Sequence, residues 1–179
     1  MRGGSCVIFF SGFCLRDESE LFADWLVESD YAVAGFSLGA IRALEFALQS
    51  ESRIDRLLLF SPAFFQTRPK RFADGQLRAL DRDPAAYREA FFRNCAAPSD
   101  FDLAPYAAEG SREELEFLLR YVWEPEKLRR IRERGTVIEV FVGEKDRIID
   151  ASGATEFFAP EVDALYRFRH GGHILRSKK

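Results

Sequence analysis

The sequence predicts an α/β fold, a mostly parallel sheet of about five strands in a single domain. Three observations lead there. Five short apolar runs alternate with helical patterns, the arrangement that lays strands side by side in parallel. The chain has 179 residues, enough for one domain and not comfortably two. Hydrophobic residues make up 47% and charged residues 31%, so the chain can bury a real core in water.

The first strand is expected at Cys6–Phe10, a continuous apolar run of the kind buried on both faces. A Ser-Gly-Phe turn follows. Residues 17–29 then read as a helix, with Asp17, Glu18 and Glu20 at its positive end and Leu21, Phe22, Trp25 and Leu26 on one face. Tyr31–Phe36 is a second buried strand. Leu38–Gln49 is a helix apolar nearly all round, with Arg42, Glu45 and Gln49 as one narrow solvent stripe, which marks it as central. Arg56–Phe60 is the third strand, and Pro62 its exit.

Residues 62–135 change character and read as a helical lid inserted after the third strand. Asp83-Pro84 and Asn94 to Pro98 break it, and Ser111 to Glu114 is a capping box. Pro125 opens and Gly135 closes a further helix with few apolar residues, expected to be exposed. Thr136–Gly143 is the fourth strand, 153–159 a short helix, and 163–169 the fifth strand. That strand is placed at an edge because Arg167 and Arg169 share a face.

Net charge is −3, which gives no reason to expect nucleic acid or membrane partners. The N-terminal apolar run is too short for a signal-peptide core, and no run approaches a membrane span. Cys6, Cys14 and Cys95 are odd in number and widely spaced, which suits free thiols in the cytoplasm rather than disulfides or zinc. No ligand cluster implies a metal, and no cofactor is expected.

Gly35-Phe36-Ser37-Leu38-Gly39 fits Gly-x-Ser-x-Gly, between a strand and a helix. In that setting the serine stands on a tight turn that needs small neighbours, and the helix start offers N–H groups to a developing anion. A serine nucleophile needs a base, and the base an orienting acid. The only histidines are His170 and His173. His173 is preferred because Gly171-Gly172 before it forms a flexible turn. Asp146, three residues after Gly143, is preferred as the acid to Asp150, which lies further from the strand end. The backbone N–H groups of Phe13 and Leu38 are the expected oxyanion donors.

The turn after the first strand, the Gly-Phe-Ser-Leu-Gly elbow, the Gly-x-x-Asp and the C-terminal histidine resemble an α/β-hydrolase in reduced form. "FFSGF", "AGFSLGAIRALEFAL", "GSREELEFLLRY" and "IEVFVGEKDRIID" are similar to the short, BioV-type pimeloyl-[acyl-carrier protein] methyl ester esterases of biotin synthesis. The resemblance implies that Ser37 attacks the methyl ester on a pimeloyl chain carried by acyl carrier protein and releases methanol. It implies Ser37, Asp146 and His173 as the triad. Cys14 departs from the pattern of many α/β-hydrolases, which have a glycine there, and its thiol is expected near the site and open to thiol reagents.

The lid aromatics Phe64, Phe65, Phe72, Tyr87, Phe91 and Phe92 suit an acyl chain. Arg78 and Arg82 are expected to dock the acidic carrier, with the helix bearing Lys127, Arg129, Arg130, Arg132 and Arg134 as a second basic face. A general carboxylesterase or thioesterase with the same triad, or a non-catalytic binding module, are the other readings. The chain is expected as a monomer or homodimer. With every crossover right-handed, all helices would cover one sheet face. Either the first helix crosses left-handed or a partner covers the other face.

Overall fold

The computed structural model describes residues 7–27 and 29–178. Five strands, β1 (Ile8–Phe10), β2 (Ala32–Phe36), β3 (Arg56–Phe60), β4 (Val137–Gly143) and β5 (Ala164–Phe168), form one sheet in sequential order. Every pairing is parallel. The helices are α1 (Leu38–Gln49), α2 (Lys70–Arg82), α3 (Pro84–Ala96), α4 (Arg112–Arg120), α5 (Pro125–Glu133) and α6 (Ala151–Phe158). No helix of the described residues is long and apolar enough to cross a membrane.

Sequential order makes β1 and β5 the edges. The expected double burial of the first strand therefore fails: Ile8 is exposed, Phe9 and Phe10 are half-buried, and Cys6 lies outside the described residues. The helix expected over 17–29 is also replaced. Among the described residues of that segment a short 3-10 helix, Glu18–Phe22, is all that forms, after Asp17 adopts a left-handed φ of 58°. Its apolar residues still act together, because Leu21, Phe22, Trp25 and Leu26 all pack into one core cluster.

That cluster decides the topology. Helices α1, α5 and α6 join the cluster of Val33, Leu57, Leu59, Ile138 and Val140, on one face of the sheet. Residues Leu21, Phe22 and Trp25 join Ala34, Phe36, Leu58, Phe60 and Phe141, on the other. The strands progress in one direction, so connections on opposite faces have opposite hands. With the three helical crossovers right-handed, the first connection is left-handed. The chain itself covers much of the second face, with its short turn, its tail residues Ile174 and Leu175, and Leu103.

The abundance of phenylalanine follows from this thin cover. Phe36, Phe60, Phe141 and Tyr166 lie in register across β2 to β5, forming a cross-strand aromatic row. Phe60 and Phe141 ring centroids are 4.7 Å apart, as are those of Phe141 and Tyr166. Phe22 stacks on Phe60 at 4.6 Å and packs on Phe36 at 4.9 Å. Flat rings bury a large apolar area in a layer too shallow for a full helix.

The block from Pro62 to Gly135 divides in two. Helices α2, α3 and α4 pack together above the strand ends, with Asp83 capping α3 through the Ala86 N–H at 3.0 Å and the Ser111–Glu114 capping box opening α4. Helix α5 instead packs on α1 and β4, because Leu128 and Ile131 bury one side of it. It is not the exposed helix its composition suggested. The polar stripe of α1 is likewise engaged: Arg42 pairs with Glu114 at 2.5 Å, and Glu45 with Lys127 at 2.9 Å.

Truncating the central aromatic of the thin layer, Phe22→Ala, is expected to destabilise the protein by about 3–5 kcal/mol in denaturant unfolding. The exposed Phe117→Ala is expected to change stability by less than about 1 kcal/mol.

Candidate active site

All five strand ends feed one region. β2 runs directly into Ser37, whose φ of 55° and ψ of −113° lie outside the ordinary regions. Backbone contacts hold this conformation. The Ser37 N–H donates to the Phe60 carbonyl at 2.9 Å, and its own carbonyl accepts from Ala40 and Ala63. The flanking glycines are steric necessities. A Cβ on Gly35 would sit 2.1 Å from the Gly39 carbonyl oxygen, and one on Gly39 would sit 1.8 Å from the Phe10 carbonyl oxygen. Strand β2, helix α1 and strand β1 approach too closely there for any side chain.

Ser37 Oγ lies 3.0 Å from His173 Nε2, and His173 Nδ1 lies 2.6 Å from Asp146 Oδ2. The His173 and Asp146 side chains have no solvent exposure, and Ser37 is buried. The second Asp146 oxygen accepts the Ile148 and Ile149 N–H groups at 2.7 and 3.1 Å, which aims the carboxylate. Asp150 does other work: it caps α6 through the Gly153 N–H at 3.1 Å and accepts from the Thr67 hydroxyl at 2.6 Å. His170 is exposed on the turn after β5.

Leu38 opens α1, so its N–H has no intrahelical acceptor. Among the described residues, neither the Leu38 nor the Phe13 N–H donates to a protein backbone acceptor outside the regular elements. Phe13 is buried and borders the same cavity as Ser37.

Two supporting residues escaped the sequence reading. Ser61, at a φ of 40° after β3, donates its hydroxyl to the His173 carbonyl at 2.6 Å and so anchors the histidine loop. Glu18 is fully buried and accepts the Gly12 N–H at 2.6 Å, which ties down the loop carrying Phe13. Its other oxygen has no hydrogen-bond partner among the described residues. Burial pushes the Glu18 carboxyl above its usual range, against hydrogen bonds that pull it down. No sequence signal set it apart: Glu18 stands in the polar run Arg16-Asp17-Glu18-Ser19-Glu20, which a helix-end reading explained.

Cys14 corrects an expectation. It adopts a left-handed φ of 58°, which accounts for glycine being the usual choice there, yet its thiol is buried. Burial raises its pKa to about 11, so little thiolate exists near neutrality and thiol reagents have poor purchase.

Ser37 opens into a cavity of about 360 Å³. Phe65, Phe72, Tyr87 and Phe91 of the expected aromatic set line it, with Leu115, Leu118 and Leu119 opposite. Phe64 is instead core, packed on Phe157 and Phe158, and Phe92 lies against Phe91. Arg68 and Arg147 are the charged lining residues. Arg78 and Arg82 are exposed on α2. The second basic face is largely neutralised, Arg129 by Glu161 at 2.8 Å, Arg132 by Asp163 at 3.0 Å and Lys127 by Glu45.

No family model matches the sequence, and no curated protein does. Solved structures do match in shape. The esterase EaEST of Exiguobacterium antarcticum superposes with a TM-score of 0.63 at 20% identity, over 79% of this chain and 59% of that one. The fold is a reduced α/β-hydrolase fold. The carboxylesterase CesB (YbfK) of Bacillus subtilis matches with a TM-score of 0.64 at 15% identity, over 97% of this chain and 79% of that one. BioG of Haemophilus influenzae matches with a TM-score of 0.59 at 14% identity, over 94% and 88%. The matched region spans less than two thirds of the EaEST chain.

The raised Glu18 carboxyl gives a signed expectation. Such a group contributes stability that is full below the ordinary glutamate value and is lost as pH rises through the raised one. Wild type should therefore lose stability relative to Glu18→Gln as pH rises from about 4 toward neutrality. Urea unfolding of both across that range checks it, and parallel curves would contradict it.

Proposed function

We propose that the protein is a serine carboxylesterase that removes the methyl ester from pimeloyl-[acyl-carrier protein]. The observation that carries the esterase reading is the buried Ser37–His173–Asp146 row opening onto an apolar cavity. The shape likeness to esterases supports it. The pimeloyl substrate rests on the sequence resemblance and on the aromatic cavity, which suits a flexible acyl chain.

In this reading His173 Nε2 takes the Ser37 hydroxyl proton as Oγ attacks the ester carbon. Asp146 holds the Nδ1 proton and stabilises the imidazolium. The Phe13 and Leu38 N–H groups receive the oxyanion. The C–O bond to methoxide breaks as His173 returns the proton, and methanol leaves. Water, activated by the same histidine, then attacks the acyl-serine and frees the carboxylic acid. Glu18 positions the oxyanion loop. The lid is the segment that covers the acyl chain, and the exposed Arg78 and Arg82 contact the acidic carrier.

The primary test is methanol release from pimeloyl-[acyl-carrier protein] methyl ester, with Ser37→Ala as control. Serine-dependent release is expected, and Arg78→Glu with Arg82→Glu should raise KM for that ester but not for a small one. Serine-dependent cleavage of simple esters alone would keep the hydrolase and discard the carrier-linked substrate. The two aspartates should separate. Asp146→Asn is expected to lower kcat about 10⁴-fold by leaving His173 in the wrong tautomer. Asp150→Ala should cost about 1 kcal/mol of stability through the lost cap and leave kcat nearly intact. Glu18→Ala should lower kcat about tenfold, less than outright loss of an oxyanion donor, with KM little changed.

A further inference from the structure

A second cavity of about 360 Å³ adjoins the first and shares Arg147 with it. Lys145, Arg147, His170, Lys178, Ser177 and Pro98 line it. None of these is a carboxylate, and three carry a fixed positive charge. The loops that build it are those that deliver Asp146 and His173. Asp146 turns inward, while its neighbours Lys145 and Arg147 are exposed on either side. His170 precedes His173 by one short turn.

Among the described residues, no acid neutralises this charge. No described carboxylate forms an ion pair with Lys145, Arg147 or Lys178, whereas Arg112 and Arg120 of α4 and Arg129 and Arg132 of α5 are paired. The adjacent acids are committed elsewhere, Glu144 to Arg167 at 2.7 Å and Asp146 to His173. Uncompensated like charges around one concavity repel each other and attract an anion, in a chain whose net charge is negative. An arginine fork, two ammonium groups and a serine hydroxyl match a phosphate better than a single carboxylate.

We propose that this cavity is an anion subsite that holds a phosphate on the substrate's carrier arm while the ester lies beside Ser37. The assignment of the phosphate to that arm rests on the carrier-linked substrate proposed above. Arg147 borders both cavities, so a substrate leaving the acyl cavity on that side meets the basic cavity next.

The test compares phosphopantetheine with pantetheine, which differ by one phosphate, as inhibitors of p-nitrophenyl butyrate hydrolysis. Phosphopantetheine should inhibit at about tenfold lower concentration, the worth of one charge-assisted contact. In the Lys145→Glu, Lys178→Glu double variant that ratio should fall to about one, and in Lys145→Gln it should fall part-way. Both positions are exposed, and unchanged melting temperatures would confirm that folding is intact. Inorganic phosphate alone should not inhibit, because it leaves the Ser37 cavity open. A wild-type ratio of one, a ratio unmoved by the double variant, or equal inhibition by inorganic phosphate would each overturn the subsite. The competitors need no turnover of the carrier-linked ester. Failure of that ester as a substrate leaves the ratio readable, and loss of the ratio leaves the esterase reading standing.

Discussion

The contact between backbones at Gly35, Gly39 and Phe10 is the constraint on which the rest of the structure turns. It brings β1, β2 and the start of α1 within van der Waals distance, with no room for a side chain. That approach forces Ser37 into an unfavourable conformation and is maintained by hydrogen bonds from three directions. The same approach places the turn after β1, with Phe13, beside the start of α1, with Leu38. Strain at one residue is tolerable because the surrounding sheet and helix are buried and well bonded.

A small chain must then protect this arrangement with little material. One sheet face receives three helices. The other receives a short turn, a tail and a row of rings in register. The aromatic layer supports the site as well as the fold, because Phe36 immediately precedes Ser37 and its ring packs 4.9 Å from that of His173. Stability and the placing of His173 beside Ser37 therefore share residues, and substitutions in this layer will affect both.

Charge is distributed with similar economy. Ion pairs tie α4 to α1, as in Arg42–Glu114, and to α2, as in Arg112–Asp81. Such exposed pairs each add little to stability, but they fix which face of each helix points outward. Arg68, which lies over the Phe72 ring, and Arg147 border the cavity of Ser37, and neither forms an ion pair with a described carboxylate.

The sequence alone determined the parallel α/β class, the five strands, the capping box and the row of candidate residues, because each depends on local chemistry. Glycines beside a serine, an aspartate after a strand end and a histidine after a flexible turn are short-range signals that survive without coordinates. Only the tertiary structure decided what depends on sheet order. Cys6–Phe10 and Thr136–Gly143 look alike as apolar runs, yet the strand Ile8–Phe10 is at an edge and Val137–Gly143 lies in the interior. The segment 17–29 has helical spacing, but its apolar residues had to reach a sheet face across a short connection, and a 3-10 turn does so. Glu18 shows the same limit: whether a glutamate caps a helix or is buried beneath a loop depends on where residues six positions away come to rest. The left-handed first crossover, the burial of Cys14 and the shared Arg147 belong to the same class. They are set by which strands become neighbours, and no local pattern records that.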